Sequence, residues 1–172
     1  MRKWLLAVSI IVVFYHDNVL VTSLPLRGLR PDLTLAFVVS LGVLTGSVPA
    51  AAIGFGMGLA ADIFFNKIVG LTALTYMLSG AAAGLFYRKF YADNLIIPAA
   101  ACVVCSFIKE HVFMFAALLK GSRPPYFKTL ISFIVPCLVL TGAFCILMHL
   151  YCKHALFKPL WRKEAIKLEE QV

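Results

Sequence analysis

Charge is scarce in this chain, and acidic charge scarcest. Only 14% of its 172 residues are charged, with 8 Asp or Glu against 16 Lys or Arg. A soluble domain carries about 25% charged residues, so the deficit excludes an ordinary water-exposed globular domain. With 62% apolar residues the chain is not disordered either. Catalytic signatures are missing: there is no phosphate-binding P-loop, no GxSxG, no HExxH and no paired acidic motif for magnesium. His16, His111, His149 and His154 lack metal-ligand spacing to one another, and no cofactor motif is present. Cys102-x-x-Cys105 has no second CxxC to complete a zinc site and no soluble βαβ setting for redox chemistry. With Cys137, Cys145 and Cys152 it falls within or at the ends of apolar segments, so the five cysteines read as small buried hydrophobes. A disulfide-stapled module is thereby excluded.

What is present is hydrophobic length. Mean hydropathy is +0.92. Six membrane helices need about 120 residues, at about 1.5 Å per residue across a core about 30 Å thick. The chain therefore suits one bundle over residues 1–152 and leaves no room for a separate soluble domain. The predicted spans are 4–24, 33–47, 48–65, 70–87, 95–119 and 127–151. The first follows Arg2-Lys3 and is interrupted by His16-Asp17-Asn18. It lacks an A-x-A-like cleavage site, so it reads as an uncleaved helix. The second apolar run, Leu33–Thr45, is short for a full crossing, and Pro31 sits where a helix start tolerates it. Gly46, Ser47 and Pro49 separate it from the third, as a tight hairpin. Pro136 predicts a kink in the sixth.

Cations orient the bundle. With both ends cytoplasmic, nine Lys or Arg lie inside (Arg2, Lys3, Arg88, Lys89, Lys153, Lys158, Arg162, Lys163 and Lys167). Six lie outside: Arg27, Arg30, Lys67, Lys120, Arg123 and Lys128. The bias favours N-in and C-in. A net charge of +8 would point to nucleic acid in a soluble protein; here it reads as helix-flanking charge, and no nucleic-acid partner is expected. The tail, 153–172, places Leu156, Leu160, Trp161, Ala165 and Leu168 near one helical face with cations largely elsewhere. It reads as a helix on the inner surface against anionic lipid, or as a solvated end.

In the third and fourth spans glycines stand four apart, Gly54 with Gly58 and Gly80 with Gly84. That spacing lets another backbone approach closely, within the chain or on a partner. Asp62 continues the first series near the end of the third helix. It reads as an ordering group for the following loop, where Gly70 suits a tight turn, or as a partner contact. Lys109-Glu110-His111 lies deep in the fifth span. Charges there face protein or water. Lys109 and Glu110 diverge by about 100°, so each is expected to find its partner on another helix, with His16 or Asp17 as candidates. The group serves either a hydrogen-bond network that fixes the packing or a proton or ion path.

Arg30-Pro31-Asp32, then Gly54-Phe55-x-x-Gly58-x-x-x-Asp62, then Gly70, together with the length, six spans and basic tail, resemble the bacterial rod shape-determining MreD family. The specific match is confined to about residues 30–84, and Lys109-Glu110-His111 has no place on the family pattern. The resemblance implies an all-α, six-helix membrane bundle similar to the substrate-binding subunits of energy-coupling-factor transporters. It implies a non-catalytic inner-membrane scaffold that binds the transmembrane helix of MreC and acts with MreB, RodA and a class B penicillin-binding protein in lateral wall synthesis. A vitamin-type transport subunit is the alternative on the same fold. On this chain the matching residues Arg30, Pro31, Asp32, Gly54, Phe55, Gly58, Asp62 and Gly70 would form a close-packed hairpin presenting a fixed outer loop.

Overall fold

A computed structural model of the chain describes residues 3–20, 30–65, 69–87, 95–121 and 130–157. Every regular element among them is helical. Six α-helices follow one another: α1 (Lys3–Tyr15), α2 (Leu33–Thr45), α3 (Ser47–Phe64), α4 (Leu71–Gly84), α5 (Ile96–Leu119) and α6 (Val135–Tyr151). Wider π-helical turns continue α1 over His16–Leu20, lead into α6 over Leu130–Ile134 and extend it over Cys152–Phe157. Three helical stretches are long and apolar enough to cross a membrane: Ser47–Phe64, Ile96–Leu119 and Leu130–His154.

The bundle is organised around α2. Its sequence is apolar on every face, and a helix of that kind belongs inside. All its residues from Leu33 to Gly42 are buried, as is Leu44. One side packs Leu33, Phe37, Val38, Leu41 and Leu44 against Val13 of α1, Met57 of α3 and Cys152. The other packs Leu35, Ala36 and Val39 against Tyr76 and Ala83 of α4, Cys102 and Cys105 of α5 and Cys145 of α6. At 13 residues it is about 20 Å long, short of a hydrocarbon core of about 30 Å. Protein on all sides replaces the lipid that such a helix could not match.

The glycine pairs explain how α3 and α4 come together as the most extensive helix pair. A Cβ on Gly54 would fall 2.6 Å from the Tyr76 carbonyl oxygen, and one on Gly58 2.6 Å from Ala73 Cα. In return, a Cβ on Gly80 would fall 2.7 Å from the Ala50 carbonyl oxygen, and one on Gly84 would collide with the Ser47 backbone. The two series nest reciprocally within one chain. Lipid removes the hydrophobic drive between helices, so backbone contact of this closeness supplies the attraction.

Pro31 precedes the cap, Asp32, and α2 begins at Leu33. Pro136 lies within the helical stretch Leu130–His154. It stands at the second position of α6, directly after the π-helical Leu130–Ile134, where its missing N–H leaves no α-helical bond unmade. The fourth span ends in a turn at Leu85–Tyr87 rather than continuing as α-helix. Arg2, residues 21–24, Arg27, Lys67, Arg88, Lys89, Arg123, Lys128 and the tail from Lys158 onward lie outside the described residues.

Candidate functional site

The polar groups gather at one end of the bundle, where α2 begins. A helix start leaves four N–H groups without intrahelical acceptors. Two carboxylates serve them here. Asp32, the N-cap residue, accepts from Leu35 N at 2.7 Å through Oδ1. Asp17, carried across from the end of α1, accepts from Leu33 N at 2.9 Å and Thr34 N at 3.3 Å. Both sit at the positive end of the α2 dipole, equivalent to about half a charge.

Asp32 also draws in three other helices. Tyr76 of α4 donates its hydroxyl to Oδ1 and Oδ2 at 2.9 Å each. Lys109 of α5 donates Nζ to Oδ2 at 2.5 Å. The Asp32 backbone N–H donates to Thr141 Oγ1 of α6 at 3.1 Å. The Lys109 and Asp32 side chains are only 14% and 6% exposed. A buried pair of this kind is strongly destabilised when one partner is removed, because the other charge is left uncompensated. Lys109 Nζ also lies within 6 Å of the Tyr76 and Phe113 ring centroids.

Two expectations about this group fall. Lys109 pairs with Asp32 rather than with His16 or Asp17. Lys109 and Glu110 do not diverge beyond reach either: Nζ and Glu110 Oε1 are 3.5 Å apart, because the long lysine stem brings its head back across the helix surface. Asp17 joins the cluster as a cap of α2. His16 and His111 stay outside it, each with Nδ1 on the carbonyl one turn back, of Val12 and Phe107 respectively.

Asp62 builds a second cap at the same end. It is fully buried, and its Oδ2 accepts from Gly70 N at 2.8 Å, Thr72 N at 3.0 Å and Ala73 N at 3.1 Å. The carboxylate at the end of α3 thus closes the start of α4. Gly70 has φ +98°, a left-handed conformation open to glycine.

Between these groups lies a cavity of about 300 Å³, with Asp17, Asp32, Tyr76 and Lys109 in its wall, Arg30 and Asn18 beside them, and Phe65 and Phe113 as apolar surface. Arg30 is exposed, and its carbonyl accepts from Cys137 Sγ at 2.7 Å. The described residues contain no group of three His, Cys, Asp or Glu side chains placed to hold a metal. The cluster's one phenol donates into a carboxylate and its ammonium is held beside the same carboxylate, so the arrangement locks helices together and presents charge. Phe55 faces away from the bundle. Cys102, Cys105, Cys145 and Cys152 are buried and free.

Tyr76 and Thr141 were not singled out in the sequence. A lone tyrosine among the small residues of α4 was the available signal. Thr141 had none, since threonine in a membrane helix commonly satisfies itself on its own backbone.

A family model described as rod shape-determining protein MreD matches residues 1–158 of the chain. No curated protein and no solved structure matches it.

Proposed function

The chain belongs to the MreD family, whose role is in rod shape determination, and from that premise we propose that it is a scaffold of the rod complex that holds the transmembrane helix of MreC. Through that hold it regulates lateral peptidoglycan synthesis by RodA and a class B penicillin-binding protein in step with MreB. It sits in the bacterial inner membrane with both ends cytoplasmic, in a bundle akin to energy-coupling-factor substrate-binding subunits, and its basic tail rests on anionic lipid.

The observation that carries this reading is the side of α3 turned away from the bundle. Gly54 and Gly58 face inward and are filled by α4. Ala52 and Gly56, also four apart, face outward and are exposed, and nothing lies within 4 Å of a Cβ placed on Gly56. Exposed Val48, Phe55 and Ile63 flank them. Small residues at this spacing admit a second helix to close range.

Gly58→Leu reports on the bundle itself, because its side chain would enter the α4 backbone. Gly56→Leu is the test. It should leave the protein inserted and folded while abolishing co-purification with MreC from mild detergent. Wild-type recovery of MreC with Gly56→Leu would remove this face from the proposal.

A further inference from the structure

The cavity at the start of α2 has no part in holding a partner helix on α3. It exists because α2 is short: its first turn lies below the ends of the helices around it, and Lys109 is about 15 Å short of the end of α5. At about 300 Å³ it reaches the lower limit of small-molecule sites.

Its charges are not equivalent. The carboxylates are engaged by the protein. Asp17 takes two N–H groups of α2. Asp32 takes Leu35 N–H, the Tyr76 hydroxyl and Lys109 Nζ. The cations keep donors in hand. An ammonium has three N–H bonds; that of Lys109 gives one to Asp32 and turns a second towards Glu110 at 3.5 Å, which leaves a third. Arg30 stands exposed against the cavity and forms no ion pair among the described residues. Its planar fork matches the geometry of a phosphate. The remaining wall sets Asn18 and Thr72 beside apolar Pro31, Ala61, Phe113 and Phe65, the last 51% exposed and continuous with exposed Ile63 and Phe64.

Free cationic donors on one side and a greasy, outward-facing wall on the other fit an amphiphile. We propose that this cavity binds the phosphate group of an anionic phospholipid, the head between Arg30 and Lys109 and the chains against Phe65 and Phe113. The same oxyanion could come from free phosphate, but free phosphate has no use for the aromatic wall.

The test compares wild type, Arg30→Gln, Arg30→Lys and, as a control, Lys120→Gln, an exposed cation at the end of α5 outside the cavity. Each is taken from nanodiscs of mixed phosphatidylglycerol and phosphatidylcholine into detergent for native mass spectrometry. Arg30→Gln leaves the buried Lys109–Asp32 pair intact, so folding is retained and checked by circular dichroism. Wild type and Lys120→Gln should each keep one phosphatidylglycerol and no phosphatidylcholine. Arg30→Gln should keep about tenfold less, the scale of one charge-assisted hydrogen bond, and Arg30→Lys should restore part of it. Equal retention by wild type and Arg30→Gln, or equal retention of the two lipids, overturns the site. Displacement of the lipid by equimolar inorganic phosphate overturns the amphiphile. Lipid loss with MreC still bound separates this result from failure of the α3 face.

Discussion

Asp62 and Asp32 both close the start of a neighbouring or following helix at the same end of the bundle, yet they are differently built. Asp62 gathers three backbone N–H groups of one turn onto a single oxygen. Asp32 accepts one backbone N–H and turns the rest of its capacity to a phenol and an ammonium from two other helices. The first is a local latch, and its negative charge faces the start of a helix. The second is a junction of α2, α4, α5 and α6, and its charge faces a buried countercharge. Two buried aspartates therefore differ in what their charge is for.

Isosteric changes break the comparison most sharply. Asp32→Asn keeps the shape but strands Lys109, and should cost about 3–5 kcal/mol, read as loss of thermal stability in detergent. Adding Lys109→Met to Asp32→Asn should recover part of that loss, since the pair is then removed together. A double variant as weak as the sum of the singles would show that the two charges are not coupled. Next in size, Asp62→Ala removes an acceptor from a helix start and should cost about 2 kcal/mol, whereas Asp62→Asn keeps an acceptor oxygen and should lose less than about 1 kcal/mol. A loss for Asp62→Asn matching that of Asp32→Asn would erase the distinction. Smallest at the junction, Tyr76→Phe deletes one hydrogen bond to a charged group and should cost about 1.5 kcal/mol. If it leaves the melting temperature unchanged, Tyr76 stands beside the pair without supporting it.

Much of the architecture could be read before the structure, because lipid imposes simple rules. Long apolar runs must be helices, and glycines four apart mark close approach; Gly54, Gly58, Gly80 and Gly84 all lie where helix backbones meet. The position of α2 could not be read in the same way. A helix with no polar face gives no direction, and its uniform apolarity is equally compatible with lipid and with a protein interior. The pairing of Lys109 with Asp32 was hidden for another reason. The two are 77 residues apart, and local angular arguments on α5 carry no information about which helix stands opposite. By composition His16 and Asp17 stand as candidates and Asp32 does not, and only the crossing of α1 over the start of α2 separates a cap from a countercharge. The outward stripe of Ala52 and Gly56 was masked by its neighbour, since the inward glycines one register away carry the more conspicuous motif.

The short central helix has a consequence for biogenesis. Leu33–Thr45 begins with an ionisable cap, is too brief to cross unaided, and is tied to α3 through the single residue Gly46. Such a segment has no comfortable resting place in lipid until its neighbours close round it. The long helices must therefore be delivered first, and the middle of the molecule is the last part of it to be settled.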